Sequence, residues 1–231
     1  MFKPLIHIQP SLEILPPIPF ISKNLTLKGE LLESVWAITP AFDSKNLIIF
    51  IGGFLDSYYR VVFEEYAHFV EDNLFQTTFG AKIYTTFNCK DLFCTWLPAL
   101  IESHYKPYII AHSWGAKNIC RALEAICLPA LSIPYLLTLD PVGYYKPQKS
   151  FDCIKQWVNV YVKDKKQYPL RTNYCTYIGR AWDYTPAAHL NISIDNQNLP
   201  FLNTSSEEPA IITHVDVNFM LETFRIYTQN K

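Results

Sequence analysis

From residue 46 onward, short apolar runs alternate with longer stretches whose apolar residues recur at helical spacing, and this alternation limits the fold more than any other feature. The runs are NLIIFIGG (46–53), AKIYTTFN (81–88), KPYIIAHS (106–113), PYLLTLDP (134–141) and WVNVYVKD (157–164). NLIIFIGG is apolar without alternation and ends in Gly-Gly, as a strand buried on both faces does. Between the runs, SYYRVVFEEYAHFVEDNL (57–74) sets Val62, Tyr66, Phe69 and Val70 on one helical face. DLFCTWLPALIESHY (91–105) reads as a helix bent near Pro98. WGAKNICRALEAIC (114–127) aligns Ala116, Ile119, Cys120, Leu123 and Cys127. HVDVNFMLETFRIY (214–227) closes the chain as a helix with Val217, Met220, Leu221 and Phe224 inward, and Thr213 with Asp216 resembles a capping box before it. Strands alternating with amphipathic helices predict the α/β class: a mostly parallel sheet with helices on both faces.

The flanks are less regular. Residues 1–28 are punctuated by Pro4, Pro10, Pro16, Pro17 and Pro19 and read as an extended arm. GELLESVWAIT (29–39) is an outer strand or strand pair. Residues 165–213 are polar-aromatic and irregular, with a possible strand at LNISID (190–195), and are placed to cover a site. The whole chain, 1–231, is read as a single domain, with 1–44 as arm and outer-strand region and 45–231 as core.

Composition excludes several classes of function. The net charge of −1 is not that of a nucleic-acid surface and suggests no electrostatic capture of an acidic membrane. Six cysteines, at 89, 94, 120, 127, 153 and 175, form no CxxC pair, so no metal site and no cofactor is expected. Cys120 and Cys127, on a buried helix face, suit reduced thiols and a reducing compartment. The prolines interrupt any signal peptide and no run of about 18 apolar residues exists, so a cytoplasmic protein without a transmembrane segment is expected. Export by a specialised secretion system is compatible with the same features.

The sharpest local pattern is Ala111-His112-Ser113-Trp114-Gly115-Ala116, set where an apolar strand gives way to a helix. A nucleophile elbow needs that junction, because the tight turn thrusts a serine hydroxyl out above the sheet. The positions two before and two after must be small. Gly115 meets this, while Ala111 carries one methyl more than the commoner glycine. The bare string is common by chance, and its placement gives it weight.

A serine needs a base to act as a nucleophile, and a carboxylate steers that base. In this kind of sheet the chain order is Ser, acid, His. Asp140 ends YLLTLD before Pro141, and Asp164 ends the following strand; position alone leaves both open as the acid. His214, on the loop entering the last helix, is the candidate base, ahead of His189. His7, His68 and His104 have no comparable context, and His112 is expected to pack or hydrogen-bond locally. An oxyanion needs backbone N–H donors. Those of Trp114, after the serine, and of Phe54, in Gly52-Gly53-Phe54-Leu55-Asp56, are the candidates, with Gly53 letting the backbone approach. A Gly-Gly pair also serves an ordinary sharp turn.

IFIGGFLD (49–56), AHSWGA (111–116), LDPVG (139–143), WVNVY (157–161), GRAWD (179–183) and HVDVNFM (214–220) together span most of the chain. In order and spacing they resemble bacterial α/β-hydrolase-fold proteins of lipase/esterase type. The resemblance implies an α/β-hydrolase fold and a triad of Ser113, His214 and Asp140, which favours Asp140 over Asp164. It implies cleavage of a lipid or small-molecule carboxylic ester through an acyl-enzyme. Asp56 and Trp182 match the group's pattern and, with Gly53, are expected to line the site. Ala111, Ala116 and Arg180 depart from it, each standing where glycine is frequent. Two other readings remain: a catalytically silent scaffold that binds a partner, and an antibacterial effector with lipase chemistry.

Overall fold

Seven strands form one sheet in the order β1-β3-β2-β4-β5-β6-β7. The computed structural model describes residues 36–40, 44–69, 79, 81–88, 90–127, 131–197 and 211–229. The arm expected over 1–28 and the first part of the outer strand region lie outside these residues, as does Val70. The strands are β1 (Trp36–Pro40), β2 (Asn46–Ile51), β3 (Ala81–Thr85), β4 (Lys106–His112), β5 (Ile133–Leu139), β6 (Ile154–Val162) and β7 (Leu190–Ile194). β1 runs antiparallel to β3, and all other pairings are parallel. The helices are α1 (Asp56–Tyr59), α2 (Val61–His68), α3 (Lys90–Glu102), α4 (Ser113–Ile126), α5 (Tyr174–Gly179) and α6 (Val217–Gln229).

Both faces of the sheet are covered, which is why residues 47–51 of β2 are apolar at every position. Alternate residues of β2 serve different cores. Leu47, Ile49 and Ile51 pack with Trp96 and Leu100 of α3 and Ile119 and Leu123 of α4. Ile48 and Phe50 pack on the opposite face with Val62 and Tyr66 of α2 and Val217 and Met220 of α6. This is the period-two pleat of a doubly covered strand. The chain steps from β2 outward to β3, then back across β2 to β4, and continues away through β5, β6 and β7. The direction reverses between β2 and β4, and the crevice beyond the carboxyl ends of those strands is where such sheets place a ligand. The architecture is an α/β-hydrolase fold.

Several local expectations are corrected. The helix expected over 57–74 is broken at Arg60, whose φ is 61°. At the break the Asp56 carboxylate accepts the Val62 N–H at 2.9 Å, satisfying one of the free donors in the first turn of α2. The last helix begins at Val217, not at His214. Asp216 accepts both the N–H and the hydroxyl of Thr213, at 2.6 and 2.8 Å, and this turn holds 213–216 outside the helix. Residues 165–189 are more ordered than expected, with 3-10 turns at Lys165–Gln167 and Arg171–Asn173 and then α5, while the strand expected at 190–195 is β7.

Cys127 is not a reduced, packed thiol but is disulfide-bonded to Cys153. The helix stops at Ile126, and Cys127, in extended conformation, keeps its packing against the core. Its Cα comes 5.5 Å from that of Cys153, just before β6, within the range a disulfide spans. Cys120 stays in the core as a free thiol, its ionisation opposed by burial.

Candidate active site

Register brings the distant segments to one rim. Ile51 lies opposite Ala111, so Gly53 arrives beside Ser113. His112 lies opposite Leu139, so Asp140 emerges next to the serine on the other side. Ser113 itself has φ 54°, the left-handed conformation that turns β4 sharply into α4. The turn presses α4 on β2. A Cβ at Gly115 would stand 2.8 Å from Ile51 Cγ2 and 3.0 Å from its carbonyl oxygen, which is why a residue without a side chain is needed there. Ala111, by contrast, points its methyl into the core and is fully buried.

Ser113 Oγ lies 2.9 Å from His214 Nε2, and His214 Nδ1 lies 2.6 Å from Asp140 Oδ2. Asp140 is buried, yet ionised. Burial works against its charge, but Lys165 and the His214 hydrogen bond outweigh burial and hold the carboxyl well below the usual carboxylate range. An ionised carboxylate only accepts, so Nδ1 carries the proton and donates to it. Nε2 is then left as an acceptor for the Ser113 hydroxyl.

The imidazole is held from three sides. The His214 N–H donates to Asn173 Oδ1 at 2.9 Å. The His214 carbonyl accepts from His112 Nε2–H at 2.8 Å. The His112 ring also lies against the His214 ring, with centroids 4.6 Å apart. His112 therefore does not bond locally, as expected from sequence; it reaches across to a residue 102 positions away. Burial, then the neighbouring His214, drive its pKa down to about 3, so it stays neutral and keeps the Nε2 proton it donates.

Lys165 has no counterpart in the motif reading. Its ammonium pairs with Asp140 Oδ1 and, at 3.2 Å, with Asp183. The side chain is 3 % exposed and that of Asp140 is 0 % exposed. Asp140 Oδ1 also accepts the Val162 N–H at 3.2 Å. Nothing in the local sequence marks Lys165, because its importance comes from lying where the chain leaving β6 passes the end of β5.

The other expected residues fall as follows. A Cβ at Gly53 would lie 2.7 Å from Ser113 Cβ and 3.3 Å from its Oγ, so the loop after β2 rests directly on the serine. The Phe54 ring packs on that of Trp114 at 4.8 Å, joining this loop to the elbow. Trp114 is the second residue of α4, where backbone N–H groups have no intrahelical acceptor. Asp56 is buried behind the loop, accepting from Tyr84 OH at 2.6 Å as well as from Val62, and braces it from below. Trp182 is a core residue whose indole N–H donates to the Gly143 carbonyl and whose backbone N–H donates to that of Pro141, pinning the chain just after Asp140. Asp164 is exposed beside Lys163, 3.9 Å away, and is not among the contacts of His214. His189 is bonded to Ser150 and to the Trp157 N–H, at a different edge of the protein. Arg180 has φ 59°, a conformation that accounts for a frequent glycine there.

No protein-family model matches this chain, and no curated protein matches it. Two solved structures are similar to it: an alpha-beta serine hydrolase homologue from Coxiella burnetii and a protein of unknown function from Agrobacterium tumefaciens, provisionally grouped with the α/β hydrolases. Each is 11% identical, with 85% of this chain and 91% of the other covered and a TM-score of 0.48.

Proposed function

We propose that this chain is a serine hydrolase that cleaves carboxylic esters, of lipids or of small molecules, through an acyl-enzyme on Ser113. The observation that carries this reading is the continuous hydrogen-bonded line from Ser113 Oγ through the His214 ring to Asp140, at 2.9 and 2.6 Å. A serine at a strand-to-helix turn, an acceptor nitrogen on it and an ionised carboxylate behind that nitrogen are the parts an activated hydroxyl needs.

In this reading Ser113 Oγ attacks the ester carbonyl carbon while its proton passes to His214 Nε2. The electron pair of the C=O bond moves onto oxygen, and the N–H groups of Phe54 and Trp114 stabilise that oxyanion, each worth about 3 kcal/mol by analogy with similar donors. Collapse of the intermediate breaks the bond to the leaving oxygen, which takes the proton from Nε2. Water then adds to the acyl-enzyme with His214 again accepting a proton, and the acid leaves as Ser113 regains its hydrogen. Asp140 stays ionised throughout and stabilises the imidazolium.

The test is Ser113→Ala, assayed on p-nitrophenyl butyrate beside labelling of the wild-type protein with a fluorophosphonate. Turnover should fall by about 10⁴-fold or more, and the label should map to Ser113. Unchanged turnover, or a folded wild-type protein that takes no label, refutes the proposal.

A further inference from the structure

Of the nine large apolar side chains exposed among the described residues, five lie on segments beside the candidate site. Tyr144, Leu170, Tyr174, Tyr177 and Ile178 are all exposed, Tyr144 at 72%, Tyr174 at 63% and Ile178 at 52%. All five lie on segments leaving the carboxyl ends of β5 and β6, the end of the sheet that carries Ser113 and Asp140. They form one face: the Tyr144 hydroxyl donates to the Ile178 carbonyl, and the Tyr177 hydroxyl donates to the Lys165 carbonyl. Two contacts set these segments beside the site. Asn173, immediately before α5, holds the His214 backbone. Gly179, the last residue of α5, rests so closely on Trp114 that a Cβ would lie 2.5 Å from the indole nitrogen.

Charge separates this face from the rest of the molecule. The whole chain carries −1, yet residues 163–180 contain five basic residues and one acidic; Lys165 is buried against Asp140 and Asp183 and Lys163 faces Asp164 and Asp195, so Arg171 and Arg180 give this face its charge. Arg171 and Arg180 are exposed on it, and the Arg180 guanidinium lies 5.4 Å from the centre of the Tyr144 ring. Tyrosines and aliphatic tips interleaved with arginines suit an interface that is apolar at depth and anionic at its surface. We infer that this face docks on the surface of an anionic phospholipid bilayer. With the site read as an ester hydrolase, docking would present the ester groups of lipids to Ser113; that last step rests on the proposed function, while the docking does not. The near-neutral charge of the chain hides a local basic surface, and membrane capture is legible only once α5 and the chain after β5 are brought together.

The experiment uses the Ser113→Ala protein, which leaves the lipid intact, and sedimentation with vesicles of phosphatidylcholine alone or mixed with phosphatidylglycerol. Binding to the mixed vesicles should exceed binding to the neutral ones at least tenfold. The pair Arg171→Gln and Arg180→Gln should weaken it by roughly 25-fold, at about fivefold per basic residue. The pair Tyr174→Ser and Ile178→Ser should weaken it by about tenfold or more. In the Ser113 background both pairs should turn over soluble p-nitrophenyl acetate within twofold of wild type, which also shows that they fold. Indifference to vesicle charge, unchanged binding by either pair, or a dimer in solution that the Tyr174→Ser and Ile178→Ser pair dissolves overturns the inference. Vesicle binding without ester turnover by the wild type would defeat the hydrolase reading alone; turnover of soluble ester without vesicle binding would defeat the docking alone.

Discussion

Replacing Lys165 with methionine removes the cation that lies between Asp140 and Asp183. The stem volume is nearly kept, so the change is chiefly electrostatic. Lys165 and Asp140 are 3 % and 0 % exposed, so solvent cannot compensate the carboxylate left behind. Removing one partner of such a buried pair costs about 3–5 kcal/mol. For a chain of this length each kcal/mol moves Tm by about 2–4 °C, which gives a fall of roughly 6–20 °C. The pH dependence has a definite sign. The Asp140 carboxyl is held below its ordinary value in the folded protein, so the stability it confers is complete above the unfolded value near 4 and is lost as pH falls further. The cost of Lys165→Met should therefore be full at pH 7 and shrink in acid. Adding Asp140→Asn should recover part of the loss, because it removes the stranded charge; Asp140→Asn alone leaves Lys165 paired with Asp183, which is 60 % exposed. Urea unfolding of the four proteins of this cycle gives the coupling energy directly. A single-variant loss under about 1 kcal/mol at pH 7, or no recovery in the double variant, refutes the reasoning.

Other outcomes follow from the same geometry. Gly53→Ala places a methyl 2.7 Å from Ser113 Cβ and 3.0 Å from His112 Nδ1, so ester turnover should fall about 100-fold or more and Tm should fall with an overpacking cost of about 1–3 kcal/mol, measured by initial rates and thermal melts. Burial raises the Asp56 pKa to about 6, against the opposing Tyr84 hydrogen bond; the folded state thus holds a proton that the unfolded chain releases, and stability should decline by up to about 3 kcal/mol as pH rises from 4 to 6. Asp56→Asn should flatten that step in urea titrations across the window. Reducing the disulfide, or making Cys127→Ser with Cys153→Ser, frees a loop of 26 residues and should cost about 3.5 kcal/mol, read as a lower Tm with dithiothreitol for the wild type and no effect on the variant.

What the sequence determined by itself is what local physics governs. Runs such as LIIFI (47–51) are apolar at every position only because both faces are covered, so the parallel sheet and its helices are written in composition and period. The elbow at Ser113 is legible for the same reason, since its steric demand falls on Gly115, two residues away. Chain order and strand ends suggested Asp140 and His214 but could not separate Asp140 from Asp164 on position alone. Tertiary structure separated them: register carries Asp140 to the rim beside His214, while Asp164 stands exposed beside Lys163. It also supplied Lys165, Asn173 and the reach of His112, whose partners lie 25, 41 and 102 residues away. The same holds for Cys127, which the helical wheel put in the core and the end of α4 turned toward Cys153. A short-range pattern records what a residue's own element requires; an ion pair or hydrogen bond between elements depends on where the sheet sets their ends, and that distance is fixed only when the strands pair.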